Sequence, residues 1–234
     1  MRRAVAFLTP LGGAAVPDAR TFSWFPVVGA LMGAALGGIW WGAEQLWPAV
    51  VAAAIVVAAD MVLSGMLHLD GLVDTADGVL PHLPRGRRLA VMAEPSVGAY
   101  GVAVAVAVLL LRFTALATLA PDAWLLAGIW CGSRTAMAVA ARSVPYARTD
   151  GGLASSLLGG SWRSVALYGV PAALALGAVG SGGPGALAVA AGFGASAGVV
   201  AMASRRLGGF TGDVLGAAGV VGETVALLVA AARW

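Results

Sequence analysis

Apolar runs close to twenty residues long recur along this 234-residue chain, and they restrict its fold more than any other feature. A bilayer core about 30 Å thick takes about 20 helical residues to cross, and every backbone polar group inside it must be paired within the protein. Seven spans satisfy that rule, at about Trp24–Glu44, Ala49–Leu67, Val97–Leu119, Ala123–Ala141, Ser164–Val179, Ala186–Ala203 and Val214–Ala232. Charged residues make up only 11% of the chain, against about 25% in a soluble domain, and the mean hydropathy is +0.90. The fold class is therefore all-α, a polytopic integral membrane helical bundle forming one domain over residues 1–234. The 34 glycines suit close helix approach. Pro48 is placed to start the second span, while Pro121-Asp122 and Ser181-Gly182-Gly183-Pro184 form turns. Trp40, Trp41 and Trp47 fit an interfacial aromatic belt.

The net charge of +3 comes entirely from arginine, for the chain has no lysine. Seven spans put the N-terminus and the loops after spans two, four and six on one side. That side carries Arg2, Arg3, Arg20, Arg85, Arg87, Arg88, Arg142, Arg148, Arg163, Arg205 and Arg206, and the other side only Arg233. The positive-inside rule makes the arginine-rich side cytoplasmic, N-terminus included, and explains the basic balance without nucleic acid. Cys131 is the single cysteine, so no internal disulfide or Cys/His zinc site is expected. Residues Met1–Arg20 lack the long apolar core of a signal peptide.

Acids gather on the arginine-rich side too, and topology does not require them. The densest run is His68-Leu69-Asp70-Gly71-Leu72-Val73-Asp74-Thr75-Ala76-Asp77-Gly78. On a helix continuing the second span, Asp74 and Asp77 fall within about 40° of Asp70, over about 10 Å. Carboxylates this close repel by about 3 kcal/mol per pair at ~6 Å and an effective dielectric of 20. A bound cation relieves the repulsion, and an all-oxygen donor set favours Mg²⁺, Mn²⁺ or Ca²⁺. Such an ion suits a phosphorylated substrate. The alternative is a solvated acidic helix end. His68 falls on the opposite helical face, where a packed or hydrogen-bonded histidine is expected rather than a general base.

Other polar residues lie where lipid-facing chains do not place them. Arg134 sits about 12 Å inside the fourth span and is expected to pair with an acid or line a cavity. Asp60 and Glu223 are intramembrane acids at similar expected depths, and either can pair with Arg134 or Arg112. For Asp60 a structural ion pair is expected. Arg85, Arg87 and Arg88 either contact phosphate or only fix orientation. Gly208-Gly209-Phe210-Thr211-Gly212-Asp213 leads into the last span, where Asp213 serves as an N-cap or the helix start receives an anion.

The run from His68 to Gly78 closely resembles the signature of the cobalamin synthase family, the adenosylcobinamide-GDP ribazoletransferases. Further similarities follow in order: Phe7-Leu8-Thr9, Phe25-Pro26-x-x-Gly29, Met92–Gly101, Ser133-Arg134, Tyr146-Ala147-Arg148, Gly152-Leu153 and Leu207–Ala217, with Glu223 matching a later acid. The resemblance implies a bacterial inner-membrane enzyme with its active site facing the cytoplasm. Its substrates would be adenosylcobinamide-GDP and α-ribazole or its 5′-phosphate, GMP would be released, and Mg²⁺ would be the cofactor. It casts Asp70, Asp74 and Asp77 as metal ligands and, with Asp213, as catalytic residues. His68, Arg85, Glu94, Arg134, Arg148 and Glu223 would be substrate-binding. Homo-oligomerisation is left open. Glu94 stands where the family usually has Asp, Ala93 and Ser96 where basic residues are common, and Val220 where many members have an acid.

Two alternatives share the layout. A cation-coupled transporter would use Asp60 and Glu223 near the midplane, but the dense acidic run lies nearer one interface. A phosphotransferase acting on CDP-alcohols would need an Asp-Gly-x-x-Ala-Arg core, which the chain lacks.

Overall fold

The computed structural model describes residues 1–13, 18, 20–148 and 160–234. Gly152 and Leu153, noted above, lie outside the described residues. Among those described, the chain is helical and no strand forms; the helices are α1 (Arg2–Leu8), α2 (Phe25–Glu44), α3 (Ala49–Leu63), α4 (Leu67–Val79), α5 (Arg85–Val91), α6 (Ala99–Thr118), α7 (Ala123–Ser143), α8 (Trp162–Leu207) and α9 (Gly212–Ala230). The segment Thr21–Glu44 and helices α6, α8 and α9 are long and apolar enough to cross a membrane, and α3 with α4 forms a further, bent candidate.

Local chemistry sets several boundaries. Asp122 caps α7 by accepting from the Leu125 N–H at 2.9 Å. Gly208, at φ +77°, ends α8, with Arg205 and Arg206 in the last turn against the negative end of the helix dipole. Helix α8 is two limbs rather than one rod: its dihedrals break at Ser181 and Gly182, where the sequence placed a turn. Gly177 and Gly185 then back onto each other across the hairpin. Ser181 Oγ donates to Asp122 at 2.8 Å, tying that turn to the start of α7.

Helix α7 is the axis of the bundle, packed against α2, α8 and α9 and buried along most of its length. Gly29, Gly33 and Gly37 make one stripe on α2 and let it lie directly on α7. A Cβ at Gly33 would meet Leu126 C at 2.5 Å and Ala127 Cα at 2.8 Å. The apolar core includes Phe22, Phe25, Trp40, Leu126, Trp130 and Met137. Trp40 thus belongs to the core, while Trp41 and Trp47 are exposed as a belt requires. One end of the bundle collects Ser23, the C-terminal ends of α7 and α8, the start of α9 and the region after α4. The arginines cluster there, as the topology reading expects.

The main departure concerns the second span. A single helix was expected from Ala49 through the acidic run. Instead the chain bends by 88° between α3 and α4. Gly65 (φ +58°) and Met66 (φ +59°) are both left-handed, and Met66 is the one non-glycine residue so placed among those described. The left-handed region costs an L-residue with a side chain about 1–2 kcal/mol. Apolar periodicity cannot reveal such an elbow, because both limbs present one buried face.

A leucine at Gly33 should therefore destabilise the bundle by about 1–3 kcal/mol or prevent folding. The same change at Gly38, where a side chain meets open space, should leave the unfolding temperature in detergent unchanged.

Candidate active site

Helix α4 lies against the starts of α6 and α9, with two unlike faces. His68, Leu72, Thr75 and Val79 recur at helical spacing and are buried. Leu72 packs with Val108, Ala217 and Val220. The opposite face carries exposed Asp70 and half-buried Asp74. Close contact with α9 depends on Gly71, whose missing Cβ would lie 2.9 Å from Asp213 Cα.

The C-terminal end of α4 is fastened by arginines. Arg88 donates to the carbonyls of Gly78 at 3.0 Å and Val79 at 2.6 Å, and Arg206 donates to those of Val79 and Leu80. Cations at a helix C-terminus satisfy orphan carbonyls and oppose the dipole. In the sequence Arg206 carried only a topological signal and Arg88 either that or a phosphate contact, so this role was missed.

Asp77 has a structural task that the sequence did not announce. Its carboxylate accepts from the N–H of Gly98 at 2.7 Å and of Gly101 at 2.8 Å. The N-cap residue of α6 is Gly98, which has no side chain to cap with, and Asp77 supplies the cap from a neighbouring helix. Among the described residues no three His, Cys, Asp or Glu side chains group closely enough to hold one ion. The Asp77 carboxylate faces the unpaired N–H groups at the start of α6, and in this structure it does not close a ring with Asp70 and Asp74.

Asp213 comes in from α9 instead. The N-cap there is Thr211, whose hydroxyl accepts from the Val214 N–H at 3.3 Å, so the expected capping by Asp213 gives way to Thr211. Asp213 is left free to accept from Thr211 Oγ1 at 3.1 Å and from Arg148 Nη2 at 3.2 Å. The charges acting on Asp74 are those of Asp213, Asp70, Arg148 and Asp77. Asp70, Asp74 and Asp213 thus form an acidic patch with one arginine beside it. Arg148 Nε is buried and has no partner among the described residues.

A short parallel bridge between Tyr146 and Phe210 places Arg148 and Asp213 together. Ala147 N–H donates to Phe210 O at 2.8 Å and Phe210 N–H to Pro145 O at 2.9 Å, while the Tyr146 and Phe210 rings meet edge to face. Burial pushes the Tyr146 phenol above its ordinary value, with the Arg148 guanidinium opposing. Neither segment showed strand periodicity, so the bridge was illegible in the sequence.

The other expected binders are dispersed. Arg85 rests its guanidinium over Gly208 at the α8–α9 junction. Glu94 pairs with Arg87 at 3.1 Å, both well exposed. Arg134 and Glu223 are buried in a chain of charges. Glu223 bridges Arg134 and Arg112, Arg112 continues to Asp60 at 2.9 Å, and Asp60 accepts from Trp130 Nε1 at 3.0 Å. Arg112, one of the two partners expected for these acids, joins them both. At the other end Arg134 Nη2 lies 3.4 Å from His68 Nδ1. His68 is packed and hydrogen-bonded, as expected for the face opposite Asp70.

Fold and site together define a polytopic helical membrane protein with a carboxylate-rich centre at the arginine-bearing end of the bundle. The chain belongs to the cobalamin-5-phosphate synthase family, whose profile matches residues 1–231. Among its relatives, an adenosylcobinamide-GDP ribazoletransferase of Chlorobium phaeovibrioides is 35% identical, covering 91% of this chain and 89% of its own. The protein of that name from Roseiflexus sp. is 35% identical over 94% of this chain and 81% of its own, and that of Ectopseudomonas mendocina 38% identical over 98% and 97%. No solved structure matches the chain.

Loss of the Asp77 carboxylate should thus act on folding. Asp77→Ala should cost about 0.5–2 kcal/mol of stability and Asp77→Asn much less. Asp74→Asn, which removes like-charge repulsion, should leave the thermal unfolding temperature unchanged or raised.

Proposed function

We propose that this chain is an adenosylcobinamide-GDP ribazoletransferase, joining adenosylcobinamide-GDP to α-ribazole or its 5′-phosphate with release of GMP. The observation that carries the proposal is the near full-length match to enzymes of that name, with the acidic helix α4 at the arginine-bearing end of the bundle.

Mg²⁺ typically binds through one or two carboxylates and completes its shell with water and substrate phosphates, so a full protein cage is not needed. Asp70 and Asp74, with Asp213 nearby, fit that pattern: hard oxygen donors, mutually repelling, with a single neighbouring arginine. They would hold the ion, which when bound supplies charge neutralisation on the diphosphate. Arg148 presents a planar fork suited to a phosphate oxygen. Donors at the start of α9 favour an anion on the same side. A free ribose hydroxyl of the ribazole, other than the 5′ position that the alternative acceptor carries as a phosphate ester, forms a bond to the phosphorus on the cobinamide side. The bond from that phosphorus to the bridging oxygen breaks, GMP departs with the electron pair, and the hydroxyl proton is released. Active-site residues orient the two ends for in-line attack and accommodate the leaving charge.

The positive-inside distribution supports an inner-membrane location with this end facing the cytoplasm. Purified protein in nanodiscs, given adenosylcobinamide-GDP, α-ribazole and Mg²⁺, should yield GMP and a product of the joined mass. EDTA should abolish turnover and added Mg²⁺ restore it. Asp74→Asn should lose at least about 100-fold in kcat at saturating Mg²⁺. Full turnover by that variant would remove Asp74 from the site.

A further inference from the structure

The elbow between α3 and α4 decides where the acidic face points, and locally it is closed by backbone bonds such as Met66 N–H to Met61 O at 2.9 Å and Leu67 N–H to Ser64 O at 3.3 Å. Two successive left-handed residues form it, and no side chain caps the start of α4. The buried charges lie on both sides of this joint. Asp60 is on the last turn of α3, and His68 is on the first turn of α4. Between them runs Asp60–Arg112–Glu223–Arg134–His68, contributed in turn by α3, α6, α9, α7 and α4. The two acids balance the two arginines, and Arg134 also donates to Ser133 at 2.7 Å. The chain surrounds a cavity of about 10 Å³ lined by Asp60, Ser64, His68, Arg112, Arg134 and Glu223. The two Arg134 Nη atoms are occupied within this group, while Asp70 and Asp74 lie on the far face of α4.

We infer that this chain of charges is a brace across the elbow, and that Arg112, Arg134, Glu223 and His68 are positioning residues that hold α4 at its angle to α3. They act on the reaction through the placement of Asp70 and Asp74. The inference rests on the reading of those two carboxylates as part of the active site. In this role Arg134, Glu223 and His68 do not touch substrate.

Spin labels on the full chain in nanodiscs test it. Val51→Cys on α3 and His82→Cys just beyond α4 are exposed and report the elbow. Val102→Cys on α6 and Leu187→Cys on α8 are exposed and report the rest of the bundle. Cys131 is buried. Glu223→Gln and His68→Gln should broaden the elbow distance distribution and leave the control pair narrow. The kcat should fall about 10- to 100-fold, with KM for both substrates within about twofold, as for a misplacement on the order of 1 Å. Arg134→Lys, which keeps charge and a donor, should recover the narrow distribution and part of kcat. His68→Gln serves if Glu223→Gln does not fold, because it removes only the α4 end. An unchanged elbow distribution would overturn the inference, as would a KM for adenosylcobinamide-GDP raised tenfold or more with the elbow intact. Equal broadening of both pairs would assign the charges to general packing and overturn it as well. If Asp74→Asn stays active, the site reading fails while the elbow distances still decide the brace.

Discussion

Glu223 is shared by two arginines in the middle of an apolar bundle, and much of the architecture follows from that sharing. A charge in such surroundings is tolerated only when paired and hydrogen-bonded, and breaking one buried partner typically costs about 3–5 kcal/mol. Arg112 and Arg134 lie on different helices, so satisfying them draws α6, α7 and α9 to one point. Asp60 and His68 extend the requirement to α3 and α4. Pairs of this kind contribute little net stability, but they are exacting about geometry, and a bundle of small residues has few other means of choosing one register.

Helix α4 gains its position from polar contacts at both ends and from packing between. His68 meets Arg134 at the start, Arg88 and Arg206 bind the carbonyls at the finish, and Gly71 lets the middle approach α9. The helix can then lie at 88° to α3 and still bury one face. An upright continuation of α3 would have carried the aspartates along the bundle axis. The elbow turns them toward the end where Arg148 and Asp213 arrive from a different part of the chain.

Those two residues show how a site is assembled from helix ends. Thr211 takes over capping of α9, which releases Asp213 toward Arg148. The Tyr146–Phe210 bridge sets the two loops side by side. Asp77, by contrast, is committed to the start of α6. Three neighbouring aspartates in one motif thus part ways: Asp70 and Asp74 stay on the acidic patch, while Asp77 caps α6. The division follows from which of them faces unpaired backbone donors. The result is an acidic patch with one guanidinium fork next to it.

Much of this protein was legible in its residues alone. Apolar run length set the class and nearly all helix positions, because a bilayer admits few ways to pair a backbone. Arginine placement marked the end of the bundle where the site lies, and the run from His68 to Gly78 named the family. Pairing of Asp60 and Glu223 with Arg112 and Arg134 also followed from composition, since charges so scarce must find each other. The elbow, the backbone engagement of Asp77, the bridge that sets Arg148 beside Asp213, and the arginines on α4 were decided only in three dimensions. Each depends on which backbone groups remain unpaired once helices from distant parts of the chain meet, and a linear pattern carries no record of that.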